Sequence, residues 1–159
     1  WTAEQLDPKL NWKDIAWIKK RWGGPLILKG ILDVEDARMA VKTGADAIIV
    51  SNHGGRQLDG APSAISVLPE IVDAVGDKIE IHMDGGIRSG QDVLKALCLG
   101  ARGVMIGRAY VFGLGAMGQA GVKMSLDIIA KELDMTMALC GERKVTDLSR
   151  MNLYHSGQQ

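Results

Sequence analysis

A histidine and an arginine, His53 and Arg56, stand three residues apart in the stretch SNHGGRQLD, which directly follows the apolar run ADAIIV. Histidine accepts and releases a proton near neutral pH, and arginine binds a carboxylate through two parallel hydrogen bonds. The pair therefore suits a substrate that carries both a carboxylate and an exchangeable proton. The alternative interpretation is an ordinary polar loop, because glycine and polar residues are the usual composition of turns.

Glycine and arginine also occur together at the ends of two consecutive predicted strands, in residues 84–108, DGGIRSGQDVLKALCLGARGVMIGR. The residues concerned are Gly85, Gly86 and Arg88, followed by Gly107 and Arg108. Glycine lets a ligand approach the backbone, arginine donates a fork of hydrogen bonds, and a helix beginning after Ser89 would point its N–H groups toward the same region. We predict a bound phosphate group here; the alternative is two glycine turns with solvated arginines.

Lys29 ends the apolar run LILK, which is unusual because lysine is almost never fully buried without a partner. Its ammonium group either extends to solvent or lies beside a cofactor ring that becomes anionic during catalysis. We assign Asp59 a structural role, as a loop cap or as the partner of an arginine. His82 is interpreted as a packing residue, and His155 receives no role.

A short apolar strand, a glycine-rich or polar loop and an amphipathic helix recur four times along the chain. The predicted strands are 25–30, 46–51, 79–85 and 103–108, and their Val, Ile and Leu content indicates a parallel sheet that is buried on both faces. The predicted helices are 11–23, 34–45, 62–75, 91–101 (capped by Ser89) and a long closing helix over 121–141.

Four βα units fit either a doubly wound open sheet or part of a (β/α)8 TIM barrel. A complete barrel typically needs about 250 residues, whereas this chain has 159. Lys29, Ser51 with His53, Asp84 and Arg108 all fall at the C-terminal ends of predicted strands, which meet at one mouth in a barrel. We therefore predict an α/β fold in which residues 1–159 form the second half of one barrel domain, completed by an N-terminal half.

Composition excludes several other classes of protein. The 19 basic and 19 acidic residues give a net charge of zero, so neither nucleic acid nor an anionic membrane is an expected partner. Cys98 and Cys140 have no CxxC spacing, which argues against a disulfide framework or a metal site and favours a reducing compartment. We expect a cytoplasmic protein, or one bound peripherally to the inner face of the cell membrane.

These motifs together resemble the FMN-dependent α-hydroxy-acid oxidising family, which includes glycolate oxidase, lactate oxidase, mandelate dehydrogenase and the lactate-oxidising flavocytochromes. SNHGGRQLD resembles the active-site signature of that family, and residues 6 to 148 resemble its C-terminal half. The segment LDPKLNWKDIAWIKKRWGGPLILKGILDVEDA is most similar to the bacterial quinone-linked L-lactate dehydrogenases.

The resemblance implies a role for each of these residues. His53 would accept a proton from the substrate, Arg56 would bind the substrate carboxylate, Lys29 would lie against the N1/O2 edge of the flavin, and Ser51 would contact the flavin ring. The ribityl chain and the phosphate would be held by Asp84, Gly85, Gly86, Arg88, Gly107 and Arg108.

The implied reaction is the FMN-dependent oxidation of a small L-2-hydroxy acid, with L-lactate favoured, to the 2-oxo acid. Electrons would pass to a quinone, a cytochrome or oxygen, and the enzyme would be a homotetramer. The substrate-contacting tyrosines of the family, and the aspartate that pairs with its histidine, belong to the first half of the barrel. We therefore expect the N-terminal half of the same protein to be docked beside this chain.

Two alternatives belong to other classes of function. The first is a non-catalytic half-barrel that binds a phosphate ligand, which would need the 84–108 site but neither His53 nor Arg56. The second is another FMN or nucleotide barrel enzyme, such as glycolate oxidase or the inosinate dehydrogenase group. The latter would carry a catalytic cysteine loop, and neither Cys98 nor Cys140 follows a predicted strand.

Overall fold

The structure is a computed structural model that describes residues 9–154. Strands and helices alternate in these residues. The strands are β1 Ile27–Ile31, β2 Ala47–Val50, β3 Glu80–Asp84 and β4 Gly103–Met105; the helices are α1 Trp12–Trp22, α2 Val34–Lys42, α3 Ala64–Val75, α4 Gly90–Cys98 and α5 Arg108–Leu139. Short 3₁₀ turns lie at His53–Gly55, Val145–Asp147 and Arg150–Asn152.

The strands form one parallel sheet in the order β1-β2-β3-β4, so each strand pairs with its neighbour in sequence. A doubly wound open sheet would reverse its strand order at a switch point, and the described strands have no such reversal. Consecutive order is what the wall of a (β/α)8 barrel requires. The four predicted βα units are confirmed.

The helices cover only one face of the sheet. Ile48, Val50, Ile81 and Met83 point to that face and pack against Leu68, Ile71 and Val75 of α3, and all seven are buried. The prediction that the strands are buried on both faces is wrong for β1, β3 and β4, because in residues 9–154 no element covers the other face. Only β2 is buried along its whole length.

Helix α1 is joined to the start of the sheet by Lys19 and Asp46. Lys19 donates to the Asp46 carboxylate, which also accepts the Leu26 N–H at 2.6 Å. The hydrogen bond from Lys19 and then that from Leu26 lower the pKa of Asp46 below its ordinary value. One carboxylate therefore connects α1 with the entry to β1 and the entry to β2.

Helix α5 differs from its prediction, because it begins at Arg108 and not near residue 121. The first segment was missed because its glycines are poor helix formers. The chain turns sharply at Met117 and Gly118, and the two segments cross at Gly113 and Gly121. A Cβ atom on Gly113 would lie 2.4 Å from the Gly121 carbonyl oxygen, so only glycine permits this crossing. No helix within residues 9–154 is both long and apolar enough to span a bilayer.

Candidate active site

Lys29 is held on the uncovered face of the sheet by an irregularity in β1. Lys29 pairs with Ile49 and Ile31 pairs with Val50, so Gly30, whose φ is 98°, is an extra residue between them. A bulge of this kind changes the alternation of side chains. It leaves the Lys29 side chain on the open face while Ile31 returns to the buried core.

The Lys29 ammonium group has two partners from the next two strands. Its Nζ lies 2.8 Å from Oγ of Ser51, which directly follows β2, and 2.8 Å from Oδ2 of Asp84, the last residue of β3. The side chain of Lys29 is 40% exposed and that of Asp84 is 18% exposed. Lys29 is therefore paired as well as partly exposed, and its place beside a cofactor ring stays a prediction.

Ser51 is the buried member of this group, with 2% of its surface exposed. Its Oγ accepts hydrogen bonds from Lys29 and from the backbone N–H of His53, the second at 3.0 Å. Ser51 does not line the cavity described below, and it supports two residues that do. Its contact with the flavin ring stays a prediction.

His53 and Arg56 lie on the loop that follows β2, around the 3₁₀ turn His53–Gly55. His53 has a φ of 55°, and it is the one non-glycine residue with positive φ in the part of the chain that the structure describes. Such a conformation costs free energy of order 1–3 kcal/mol and persists only when its surroundings fix it. The backbone at the predicted base is therefore strained.

A cavity of about 450 Å³ opens at the C-terminal ends of the strands. Nine of the ten predicted site residues line it: Lys29, His53, Arg56, Asp84, Gly85, Gly86, Arg88, Gly107 and Arg108. The sequence interpretation missed other lining residues, among them Met105 and Tyr110. Met105 pairs with Asp84 at the end of its strand, which is the one signal that could have found it, whereas Tyr110 lies on the unpredicted first turn of α5.

The backbone around Gly86 and Gly107 suits a phosphate group. A Cβ atom at either glycine would meet no atom within 4 Å, and within residues 9–154 neither N–H group has a hydrogen-bond partner. Helix α5 begins at the next residue, Arg108, so the positive end of its dipole faces the cavity that Arg108 lines. Free N–H donors, a helix N-terminus and two guanidinium groups, from Arg88 and Arg108, form a site for an anion.

The predicted contribution of α4 to this site is wrong. The N–H groups of Arg88 and Ser89 donate to the Asp92 carboxylate at 3.0 and 3.1 Å, and the Gly90 N–H donates to Glu132 Oε2 at 2.8 Å. Two carboxylates therefore cap the N-terminus of α4, where the sequence interpretation expected donors free for a ligand. The helix N-terminus that faces the cavity is instead that of α5.

Asp84 has one oxygen that no described residue satisfies. Its Oδ2 pairs with Lys29, whereas its Oδ1 is buried and has no hydrogen-bond partner within residues 9–154. A buried acceptor without a donor costs about 1–3 kcal/mol. A hydroxyl-bearing chain extending from the phosphate site past Asp84 would supply the donor. The residues present thus fit the phosphate and ribityl portions of FMN.

The family model of the FMN-dependent dehydrogenases matches residues 1–155. The chain belongs to the FMN-dependent dehydrogenase family. The resemblance found from the motifs is confirmed, and FMN, the expected cofactor, is the cofactor of the family.

Curated relatives in this family include bacterial L-lactate dehydrogenases. The chain is 54% identical over 149 residues to that of Caulobacter vibrioides strain NA1000, covering 94% of this chain and 39% of the relative. It is 53% identical over 153 residues to that of Azorhizobium caulinodans, covering 96% of this chain and 40% of the relative. The chain thus spans about two fifths of the length of the relatives it matches.

Solved structures with the same fold include mandelate oxidases. One, described with 3,3-difluoro-2-hydroxy-3-phenylpropionic acid, matches with a TM-score of 0.85 and 49% identity, over 89% of this chain and 43% of that one. A variant of mandelate oxidase described with a monooxide FMN adduct matches equally well, over 89% of this chain and 45% of that one. The parallel sheet therefore matches the TIM-barrel fold of FMN-dependent oxidases.

Other residues of this FMN-dependent dehydrogenase chain have structural roles. Asp59 Oδ1 accepts the N–H of Gly60 at 3.1 Å, which is the predicted loop role and not the alternative pairing with an arginine. His82 lies half-buried on the open face, and its Nε2 is 3.0 Å from Oε1 of Glu80. His155 lies outside the described residues.

The cysteines lie away from the cavity. Cys98 is buried in the last turn of α4, and burial raises the pKa of its thiol, which makes it a poor nucleophile. Cys140 is exposed after the end of α5. The expectation that neither cysteine follows a strand is confirmed, which argues against a cysteine-based barrel dehydrogenase.

Proposed function

We propose that this chain supplies the cofactor and substrate sites of an enzyme that oxidises a small L-2-hydroxy acid, with L-lactate favoured, to the 2-oxo acid. The observation that carries the proposal is one cavity lined by Lys29, His53 and Arg56 together with the phosphate-type backbone at Gly86 and Gly107. FMN, when bound, would accept the two electrons that the substrate carbon loses.

Arg56 and His53 act on the substrate in this proposal. The Arg56 guanidinium binds the carboxylate through two hydrogen bonds and so fixes the orientation of the hydroxy acid. His53 accepts the proton that the substrate releases. Both side chains line the same cavity from one short loop, so the carboxylate site and the base move together with that loop.

Lys29 and Asp84 act on the cofactor side. Lys29 maintains a positive charge on the cavity wall, and its two hydrogen-bonded partners fix its position before any charge develops nearby. A preorganised charge of this kind stabilises negative charge without further reorganisation. When FMN is bound, Asp84 Oδ1 would accept from a ribityl hydroxyl, and Gly86, Gly107 and Arg108 would hold the phosphate.

The choice of L-lactate is supported by the relatives. L-lactate dehydrogenases are 53–54% identical to this chain, and the mandelate oxidase structure described with 3,3-difluoro-2-hydroxy-3-phenylpropionic acid is 49% identical. The electron acceptor, a quinone, a cytochrome or oxygen, stays a prediction, as do the homotetramer and the cytoplasmic or peripheral location.

Activity is proposed to require the first half of the barrel as well. β1 and β4 each pair on one side only in the described sheet, which leaves backbone groups on their outer edges for further strands. Large apolar side chains on these two strands are exposed, Ile27 at 50% and Met105 at 39%. The remaining length of the relatives is consistent with strands that cover these groups.

The test uses the whole enzyme that contains this chain, purified with FMN. L-lactate is added without oxygen while the visible flavin bands are recorded, and D-lactate is the matched control. Bleaching by L-lactate alone supports the proposal. Bound FMN that neither isomer bleaches would favour the non-catalytic phosphate-binding alternative and overturn the enzymatic one.

A further inference from the structure

The amide of Asn52 fixes both ends of the loop that carries His53 and Arg56. Its Oδ1 accepts the backbone N–H of Gly55 at 3.2 Å, and its Nδ2 donates to the carbonyl oxygen of Pro62 at 3.2 Å. The first bond reinforces the 3₁₀ turn, in which the Gly55 N–H also donates to the backbone carbonyl oxygen of Asn52 at 3.0 Å, and the second ties the turn to the residues just before α3. One side chain therefore bonds both to the turn and to the end of the connection.

The same amide lies against the cofactor side of the cavity. A Cβ atom on Gly85 would come within 3.2 Å of Asn52 Oδ1 and within 3.8 Å of the Gly54 nitrogen. Gly85 follows β3 and begins the glycine loop of the phosphate site. The substrate loop after β2 and the cofactor loop after β3 are therefore in close contact, and Asn52 lies at that contact.

The turn that the Asn52 amide reinforces is strained at His53. His53, Gly54 and Gly55 have φ values of 55°, 66° and 72°, so three successive residues adopt the left-handed region. In the described residues, two side chains bond to the backbone N–H groups of this turn: Ser51 at His53 and Asn52 at Gly55. Ser51 holds the start of the turn, and Asn52 holds its end.

We propose that Asn52 is a positioning residue that sets the placement of His53 and Arg56 relative to the cofactor loop. The inference rests on the proposed function. Asn52 does not line the cavity, so its effect passes through the loop and not through contact with the substrate. Removing its amide leaves the Gly55 N–H with only its backbone bond to the Asn52 carbonyl oxygen, unties the turn from Pro62 and opens space beside Gly85.

The first test compares Asn52→Ala and Asn52→Asp in the FMN-loaded whole enzyme. Asn52→Ala is expected to retain FMN, to weaken pyruvate binding measured by flavin absorbance, and to lower the rate of flavin reduction by L-lactate about 10- to 100-fold, the effect of a small misplacement of reacting groups. Exchange of the Gly55 amide hydrogen should become faster. Asn52→Asp keeps the acceptor for Gly55 but loses the donor to Pro62, so intermediate values are expected.

Ser66→Ala is the matched control, because Ser66 Oγ also makes a local bond to backbone, donating to Ser63 at 2.8 Å, but lies outside the turn. Ser66→Ala should leave the reduction rate and pyruvate binding unchanged. If Asn52→Ala matches Ser66→Ala in both measurements, while the wild type is reduced by L-lactate, the inference is overturned. If L-lactate does not reduce the flavin of the wild type, the proposed function is contradicted instead. The exchange rate of the Gly55 amide hydrogen then still tests the hydrogen bond between Asn52 and Gly55.

A double-mutant cycle of Asn52→Ala with Gly85→Ala tests the contact between the two loops. The unfavourable φ of Gly85, 87°, penalises alanine equally in both backgrounds, so its cost cancels in the cycle. Gly85→Ala should therefore reduce the rate by a larger factor in the wild type than in Asn52→Ala, where the amide no longer occupies the space. Equal factors in the two backgrounds would contradict the proposed coupling.

Discussion

The Nζ of Lys29 and the Oδ2 of Asp84 lie 2.8 Å apart, although β1 and β3 are not neighbours in the sheet. The ion pair passes over the end of β2, where Ser51 accepts a second bond from the same ammonium group. Residues on β1 and β3 and the residue that follows β2 thus form a single polar cluster. In TIM barrels the active site lies at this end of the strands, because the strand ends converge there.

Lys29→Met should destabilise the protein and abolish most of its activity. Among the described residues, Lys29 is the one charged partner of Asp84 and the other Asp84 oxygen has no donor, so the variant leaves a buried acceptor unpaired, at a cost of about 1–3 kcal/mol. Urea unfolding measures the stability loss. The control is Lys29→Met combined with Asp84→Asn, which removes the uncompensated charge and should recover part of the stability but not the rate of flavin reduction.

His53→Gln should remove the base while leaving the cofactor site intact. The expected loss in the rate of flavin reduction by L-lactate is about 10²- to 10⁴-fold, the usual contribution of a positioned proton acceptor. The flavin absorbance of the purified variant should be unchanged. A rate close to that of the wild type would refute the proposed role of His53.

Gly113→Ala should disrupt the crossing within α5, because a Cβ atom there would lie 2.4 Å from the Gly121 carbonyl oxygen and 2.5 Å from Ser125 Oγ. The backbone must shift, at an expected cost of about 1–3 kcal/mol in thermal or urea unfolding. Gly115→Ala is the matched control, since a Cβ atom there meets nothing within 4 Å and alanine favours the helix by up to about 1 kcal/mol. Equal stability of the two variants would contradict the described crossing.

Asp46 should make the stability of the protein depend on acidic pH. Its pKa is lowered from the ordinary value of 3.8, first by Lys19 and then by the Leu26 N–H, so folding favours the ionised form. The resulting stabilisation is present above the ordinary pKa and is lost as the pH falls through the lowered pKa.

Unfolding of the wild type and Asp46→Asn across this pH range tests the dependence. The variant should be less stable at neutral pH, and the difference should shrink in acid. Asp77→Asn is the control, because Asp77 has a distant, exposed partner, Lys78 at 3.7 Å. A stability difference between wild type and Asp46→Asn that stays constant with pH would contradict the prediction.

The strands and their ends could be predicted because the signal is local. Each strand is a short apolar run followed by glycine or polar residues, and parallel strands bring those endings to one edge. Lys29, His53, Asp84 and Arg108 therefore reach one cavity, as their positions indicated. The type of each side chain and its place near the C-terminal end of a strand were sufficient information.

The remaining features depend on contacts between distant residues. Glu132 caps α4 from 42 positions away, which no local pattern reveals, and the first half of α5 is helical despite glycines that only its crossing explains. Asn52 was missed because asparagine is a common residue in turns, so its presence in a loop indicates no special role. Its importance depends on its contacts with Pro62 and Gly85, which the fold alone brings together.

The most direct measurement of the central claim is anaerobic titration of the FMN-loaded whole enzyme with L-lactate, followed by visible absorbance. We expect the flavin bands to bleach with L-lactate in the wild type and D-lactate to have no such effect. His53→Gln should bind FMN but bleach at least about a hundredfold more slowly. Bound FMN that L-lactate leaves unchanged in the wild type would contradict the central claim.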